Sequence, residues 1–311
     1  MNLTVASSPH IRGTIHTGRL MGDVALALLP ALAVGTYVLG IRALTVTAVS
    51  VFSALTAEWL CSRLTGKGNS LPDGSALVTG MLFALTLPAS VPFFPVILGS
   101  VVAITAAKCL CGGLGQNIFN PALLARAFVM LLCPSALTRC VVDGVSVATP
   151  LHHMAMGSLP ENGTWELFQG TVPGAIGEIS ALALIIGGGY LVVRRVISLR
   201  IPLSYLGTVA LLTLVFPKTD NALEWMLCSL LSGGVMLGAI FMATDYATSP
   251  VTPTGQIFYG MGCGALTVFF RYFGLFPEGV TYAILGMNLL TWGIECATPP
   301  RRFGVKKGAK T

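Results

Sequence analysis

Leu20-Met21-Gly22-Asp23-Val24-Ala25-Leu26-Ala27-Leu28-Leu29-Pro30-Ala31-Leu32-Ala33-Val34-Gly35-Thr36-Tyr37-Val38-Leu39-Gly40 carries one acidic residue and no lysine or arginine. Coiled as a helix rising about 1.5 Å per residue, such a run crosses the roughly 30 Å hydrocarbon core of a bilayer. It follows directly on the polar segment Met1–Arg19, and no small-residue cleavage pattern comes after it. The run therefore reads as a retained helix and not as a secretory signal.

Nine more runs of this kind follow, at approximately 43–62, 74–90, 93–111, 119–136, 173–194, 201–217, 223–243, 255–273 and 278–296. Composition agrees: 54% of the 311 residues are hydrophobic and 10% charged, with mean hydropathy +0.80. A soluble domain has about 25% charged residues to coat its surface. The expected fold is an all-α integral membrane protein of about ten transmembrane helices. No linker is rich enough in Pro, Gly or charge to divide the chain, so residues 1–311 form one polytopic domain. A net charge of +6 raises the question of nucleic acid. The basic residues form no stripe interleaved with aromatics, which excludes that class.

The basic residues instead set topology. With ten spans both termini share a side, and on it fall Arg12, Arg19, Arg63, Lys67, Lys108, Arg194, Arg195, Arg200, Arg301, Arg302, Lys306, Lys307 and Lys310. The other side holds Arg42, Arg139, Lys218 and Arg271, while Arg126 lies within the fifth span. The positive-inside rule puts both termini in the cytoplasm and the loop 137–172 outside. A weak echo joins the third and eighth spans: Gly80-Met81-Leu82-Phe83-Ala84 with Thr86, Ala89, Ser90 and Pro92, against Gly238-Ala239-Ile240-Phe241-Met242 with Thr244, Ala247, Ser249 and Pro250. Chance and a five-plus-five inverted repeat account for it about equally well.

Eight cysteines are present without a C-x-x-C pair. Cys109 and Cys111 are the nearest neighbours, too few ligands for zinc or an iron–sulfur cluster on this chain alone. Two readings stand, small buried hydrophobes and a cluster shared with a neighbouring protein of a complex. His152 and His153 lack partners at ligand spacing, so no resident metal site is expected.

The long loop contains Asp143-Gly144-Val145-Ser146-Val147-Ala148-Thr149-Pro150. Asp-Gly favours a turn, and Pro150 drives Thr149 out of the helical region, leaving its hydroxyl to project from extended backbone. By itself this describes a loop with a threonine. Together with Ser7-Ser8-Pro9-His10, Leu71-Pro72-Asp73-Gly74-Ser75, Gly112-Gly113-Leu114-Gly115-Gln116-Asn117-Ile118-Phe119-Asn120-Pro121, Met242-Ala243-Thr244-Asp245, Thr248-Ser249-Pro250 and Phe276-Pro277-Glu278-Gly279, it resembles the NqrB/RnfD family. That family holds the RnfD component of the Rnf electron-transport complex and the NqrB component of the sodium-pumping NADH:quinone reductase.

The resemblance implies FMN esterified through its phosphate to Thr149, in a segment of the form D-G-x-[S/T]-x-A-T matched by Asp143, Gly144, Ser146 and Ala148. Val147 stands where the family often has a smaller residue. Arg126 and Arg139 are the basic groups near enough in sequence to balance the phosphate, although Arg126 equally suits a backbone carbonyl. The resemblance further implies a noncovalent riboflavin, with the Gly112–Asn120 run (through Asn117 and Asn120) and Asp245–Pro250, including Thr248, as its walls. Capping of the following helix is the competing role for Asn120. Asp73 and Asp245 adjoin Ser or Thr in broken, proline-containing regions, which suits an ion pathway or helix-end capping.

The implied function is a redox component of a ferredoxin:NAD+ oxidoreductase coupled to Na+ or H+ movement in a bacterial inner membrane. Its implied partners are the other Rnf proteins, RnfA, RnfB, RnfC, RnfE and RnfG, chiefly the extracytoplasmic flavoprotein RnfG. A flavin transferase acts during maturation, and membrane lipid surrounds the spans. No Rossmann fingerprint or iron–sulfur ligand set equips this chain to bind NAD or ferredoxin itself, so it holds no complete active site. A small-solute channel with a merely structural loop is the rival reading.

Overall fold

The computed structural model describes residues 16–66, 71–109, 115–138, 141–142, 145–146, 149–160, 163–170, 172, 174–274 and 278–299. In chain order its helices are α1 (Thr17–Leu39), α2 (Ile41–Thr65), a 3-10 turn (Leu71–Asp73), α3 (Ser75–Leu85), α4 (Phe93–Val102) running into a π segment (Ala103–Cys109), α5 (Pro121–Leu132) and α6 (Pro134–Thr138). A two-residue ladder pairs β1 (Val141–Val142) with β2 (Val145–Ser146). Then come α7 (Pro150–Ala155), α8 (Thr164–Gln169), α9 (Ala181–Val193), α10 (Arg200–Val215), α11 (Ala222–Leu231), α12 (Val235–Leu237) continuing as a π segment (Gly238–Met242), α13 (Pro253–Phe273) and α14 (Val280–Ala297).

Each expected run contains a helix, but the runs are not equally continuous. α1 and α2 are long and apolar enough to cross a membrane, and α11 with 235–242, bent by 61°, makes a third if taken as one span. α3, α5, α9 and α10 are apolar but shorter. These helices make the chain a multi-pass membrane protein. The third run ends as a helix at Leu85, three residues before Pro88, which offers no N–H to continue the ladder. The eighth run breaks at Gly233 and Gly234, with φ of 67° and 68°, a left-handed region that strains any residue bearing a Cβ.

Two packed groups result. α2 lies against α3 and α4, and α4 against α5; α10 lies against α11 and α13, and α13 against α14. α1 with α9, and α5 with α14, join the groups. Small residues permit the close approaches: a Cβ on Gly264 of α13 would lie 2.8 Å from the Tyr205 carbonyl oxygen of α10. Buried hydroxyls then link helices where lipid offers no hydrogen bonds. Ser50 Oγ donates to the Gly80 carbonyl (2.8 Å) and pairs with Ser100 Oγ (3.0 Å), while Tyr205 Oη pairs with Thr267 Oγ1 (2.6 Å). Tyr259 Oη donates to Asn288 Oδ1 at 2.6 Å, fastening α13 to α14.

Candidate functional site

Polar groups gather at the two opposite ends of α3 and α9. At the first end, residues 174–180 cross the terminus of α3: Pro88 and Ala175 form a β-bridge, and the Ile176 and Gly177 N–H groups donate to the Leu87 and Leu85 carbonyls at 3.0 and 2.7 Å. This crossing delivers Glu178 to the break in the eighth run, so close that a Cβ on Gly234 would lie 2.6 Å from Glu178 Oε1.

Arg126 enters the same region from α5. It is buried and donates to the Thr86 carbonyl and to the carboxylate of Glu278, just before α14. The expected carbonyl pairing is thus present, with a carboxylate added. Arg271, buried in α13, donates to the carbonyls of Ser229 (2.6 Å), Ser232 (2.8 Å) and Gly233 (3.2 Å), buried acceptors at the end of α11 that the helix itself leaves unused. A cation at a helix C-terminus also complements its dipole. Two arginines and two glutamates therefore meet at the junction of the two packed groups, each arginine acting electrostatically on both glutamates.

Thr149 stands beside this cluster. Its φ of −74° and ψ of 153° are extended, as expected from Pro150, which opens α7. The residue is half-buried, and its side chain makes no cap hydrogen bond. It borders a cavity of about 40 Å³ with Pro88, Leu151, Glu178, Ser232 and Glu278. A space of that size holds a few waters and cannot admit a three-ring heterocycle. Arg126 does not line this cavity. Ser146 lies in β2, paired with Val141. Asp143, Gly144, Ala148 and Arg139 lie outside the described residues.

At the other end a larger cavity of about 350 Å³ opens between α1, the start of α3, the segment before α5, and residues 241–247. Sites for small molecules usually measure about 300–1,000 Å³. Asn117, Asn120 and Asp245 line it together, with Ser75, Thr79 and Thr244. Asn120 lines this cavity and also caps the helix that follows it. Its Oδ1 accepts from the Ala122 and Leu123 N–H groups (3.0 and 3.4 Å), capping α5, and its Nδ2 donates to the Met242 carbonyl at 3.1 Å. Thr248 is buried behind the wall, where its hydroxyl donates to Asp245 Oδ2 at 3.3 Å. Asp73 closes the 3-10 turn before α3 and is not among the lining residues.

Sequence reasoning passed over Glu178, Glu278 and Arg271 as a group. The usable signal was a repeated one: an acid adjoining glycine just before a span, at Gly177-Glu178 and again at Glu278-Gly279. Among the described residues no set of three or more His, Cys, Asp or Glu side chains is grouped to hold a metal ion.

A family model described as NQR2, RnfD, RnfE family matches residues 4–304. The chain is 47% identical over 316 residues to the D subunit of the Na+-translocating ferredoxin:NAD+ oxidoreductase complex of Acetobacterium woodii, covering 99% of this chain and 97% of the relative. It is 39% identical over 320 residues to the D subunit of the proton-translocating ferredoxin:NAD+ oxidoreductase complex of Clostridium ljungdahlii, covering 98% and 97%. Against the D subunit of the ion-translocating oxidoreductase complex of Stutzerimonas stutzeri it is 37% identical over 324 residues, covering 92% of each.

Proposed function

The chain belongs to the NQR2, RnfD, RnfE family, and from that premise we propose that it is the membrane subunit of an ion-translocating ferredoxin:NAD+ oxidoreductase, carrying FMN on Thr149. The observation that carries this reading is a conjunction. A threonine matching the family's attachment segment is held extended, half-buried and without a cap bond, beside a cavity at one end of the bundle. FMN would supply electron acceptance and donation; the protein supplies its placement and electrostatic surroundings.

Each residue then has a definable task. Thr149 offers the ester oxygen, and Pro150 fixes its backbone for access by a flavin transferase. Glu178 and Glu278, beside Arg126 and Arg271, keep the adjoining junction polar yet balanced in charge. The wall formed by Asn117, Asn120 and Asp245 fits a noncovalent riboflavin, a ligand whose hydroxyls and ring nitrogens match an amide-and-carboxylate lining. Asp73 and Asp245 are retained as ion-pathway positions. The relatives named for Na+ and for protons are both closely similar, so membership of the family leaves either ion open to this chain.

In this reading the protein crosses a bacterial inner membrane ten times as one domain, with both termini cytoplasmic and residues 137–172 outside. The bias of thirteen basic residues against four supports that orientation. A five-plus-five inverted repeat is supported by the matched packing of the two groups and by two interrupted elements, α3 and α12, each following a left-handed glycine (Gly74 and Gly234, both φ 68°). The partners are RnfA, RnfB, RnfC, RnfE and RnfG, with RnfG as the extracytoplasmic electron partner.

Flavin fluorescence on a denaturing gel tests the central claim. Protein made in cells containing the flavin transferase should glow under ultraviolet light, and Thr149→Ala protein should not. A dark wild-type band overturns the reading in favour of a solute channel.

A further inference from the structure

The face of α1 turned away from the bundle carries a second concavity, unrelated to either site above. A shallow groove of about 520 Å³ runs between α1 and α3, lined by Gly22, Ala25, Leu26, Leu29, Leu77 and Met81. Leu26 and Leu29 are 55% and 46% exposed. Between Gly22 and Leu29 it follows roughly 10 Å of helix, the scale of an acyl-chain segment and not of a globular partner.

Its mouth is polar. Arg19, in the first turn of α1, is exposed and borders the groove. Asp23, one turn further, also borders the groove, but its carboxylate is engaged elsewhere: it accepts from Tyr190 Oη at 2.9 Å and from Arg194 Nη2 at 3.2 Å. Arg19 is thus left without an ion pair among the described residues, at the level where α1 enters the membrane. Its guanidinium can take two phosphate oxygens at once. The single carboxylate bordering the groove is already occupied, so among the described residues nothing there is free to hold the ammonium of a zwitterionic headgroup.

We infer that this groove is a binding site for an anionic phospholipid, with the phosphate on Arg19 and an acyl chain along Leu26, Leu29, Leu77 and Met81. The inference does not depend on the redox reading. It needs only that α1 spans the bilayer. Gly22 gives it a clean test, because a Cβ added there meets no atom within 4 Å. Gly22→Phe therefore starts from open space and projects bulk into the groove, and Arg19→Gln removes the charge of an exposed side chain.

The intact complex would be purified in detergent, incubated with vesicles of phosphatidylglycerol or of phosphatidylcholine, repurified and assayed for retained lipid by native mass spectrometry. Wild type should retain phosphatidylglycerol about tenfold more than Arg19→Gln, the loss expected for one charge-assisted contact, should retain more than the sterically blocked Gly22→Phe, and should show no such excess for phosphatidylcholine. Equal retention by all three proteins, or equal retention of the two lipids, overturns the assignment. So does loss of a neighbouring protein from the Gly22→Phe complex, which would make the groove a protein contact. Thermal unfolding of both variants should match wild type; a large drop would show that the two positions serve the fold instead.

Discussion

Arg126 in the middle of α5 and the carboxylate of Glu278 before α14 form a largely buried ion pair across 152 residues of sequence, joining the two packed groups at the point where the third and eighth runs are both interrupted. Arg126 also holds the Thr86 carbonyl at the end of α3. Removing one partner takes from the other its direct ion pair in a site poor in water, leaving only the more distant charge of Glu178 or Arg271. Arg126→Met should therefore lower stability by about 3 kcal/mol, read as thermal unfolding of the purified complex. The double variant Arg126→Met with Glu278→Met should recover part of that loss. If the double variant is as damaged as the sum of two independent losses, the pair is not the unit of stability proposed for it.

Thr149 should behave in the opposite way. Its side chain caps nothing and is only half-buried, so Thr149→Ala should change stability by no more than about 0.5 kcal/mol while abolishing the fluorescent gel band. Thr149→Ser keeps the hydroxyl and should stay fluorescent. A wild-type melting curve beside a dark Thr149→Ala band separates attachment from folding; a bright Thr149→Ala band would place the flavin elsewhere.

How far the sequence could be read depended on the range of the forces involved. The apolar run at 20–40 became α1, and the extended backbone of Thr149 followed from the residue after it, because both are local effects. Hydropathy read the third and eighth runs as continuous, since an average over a window does not register a missing N–H at Pro88 or the left-handed pair Gly233-Gly234. The Gly-Gly pair was visible and could have been used. Glu278 as the partner of Arg126 was not legible, because only tertiary packing brings those positions together. Asn120 shows the intermediate case: its cap to α5 was legible from Pro121, but its bond to Met242, 122 positions away, was not.

That double role makes Asn120 informative about the larger cavity. Asn120→Ala loses both the cap, worth about 1 kcal/mol, and the donor to a buried carbonyl, worth roughly as much again. Asn120→Asp retains the cap acceptor but loses the donor and sets a carboxylate oxygen against the Met242 carbonyl. Both variants should be less stable, with Asn120→Ala the worse in its capping contribution. If the cavity holds riboflavin, both should release more acid-extractable flavin on dialysis than wild type. Unchanged riboflavin content in both would remove Asn120 from the binding wall while leaving its cap intact.

Arg271 offers the last test, on the break in the eighth run. Its guanidinium satisfies three carbonyls at the end of α11, and Gly233 and Gly234 supply the left-handed turn that follows. Arg271→Met keeps most of the apolar volume and leaves those acceptors buried without a donor, at about 1–3 kcal/mol each where water cannot reach them. Gly233→Ala adds a side chain where φ is positive and should cost about 1 kcal/mol or more; its Cβ would also lie 2.6 Å from both Arg271 Nη2 and Leu151 Cδ2. Because Leu151 follows Thr149 by two residues, local disorder from either change should spread to the attachment segment. Limited proteolysis of the purified complex should then cut near α7 faster in Arg271→Met and Gly233→Ala than in wild type. Cleavage at an unchanged rate would show that the break and the Thr149 segment are mechanically independent.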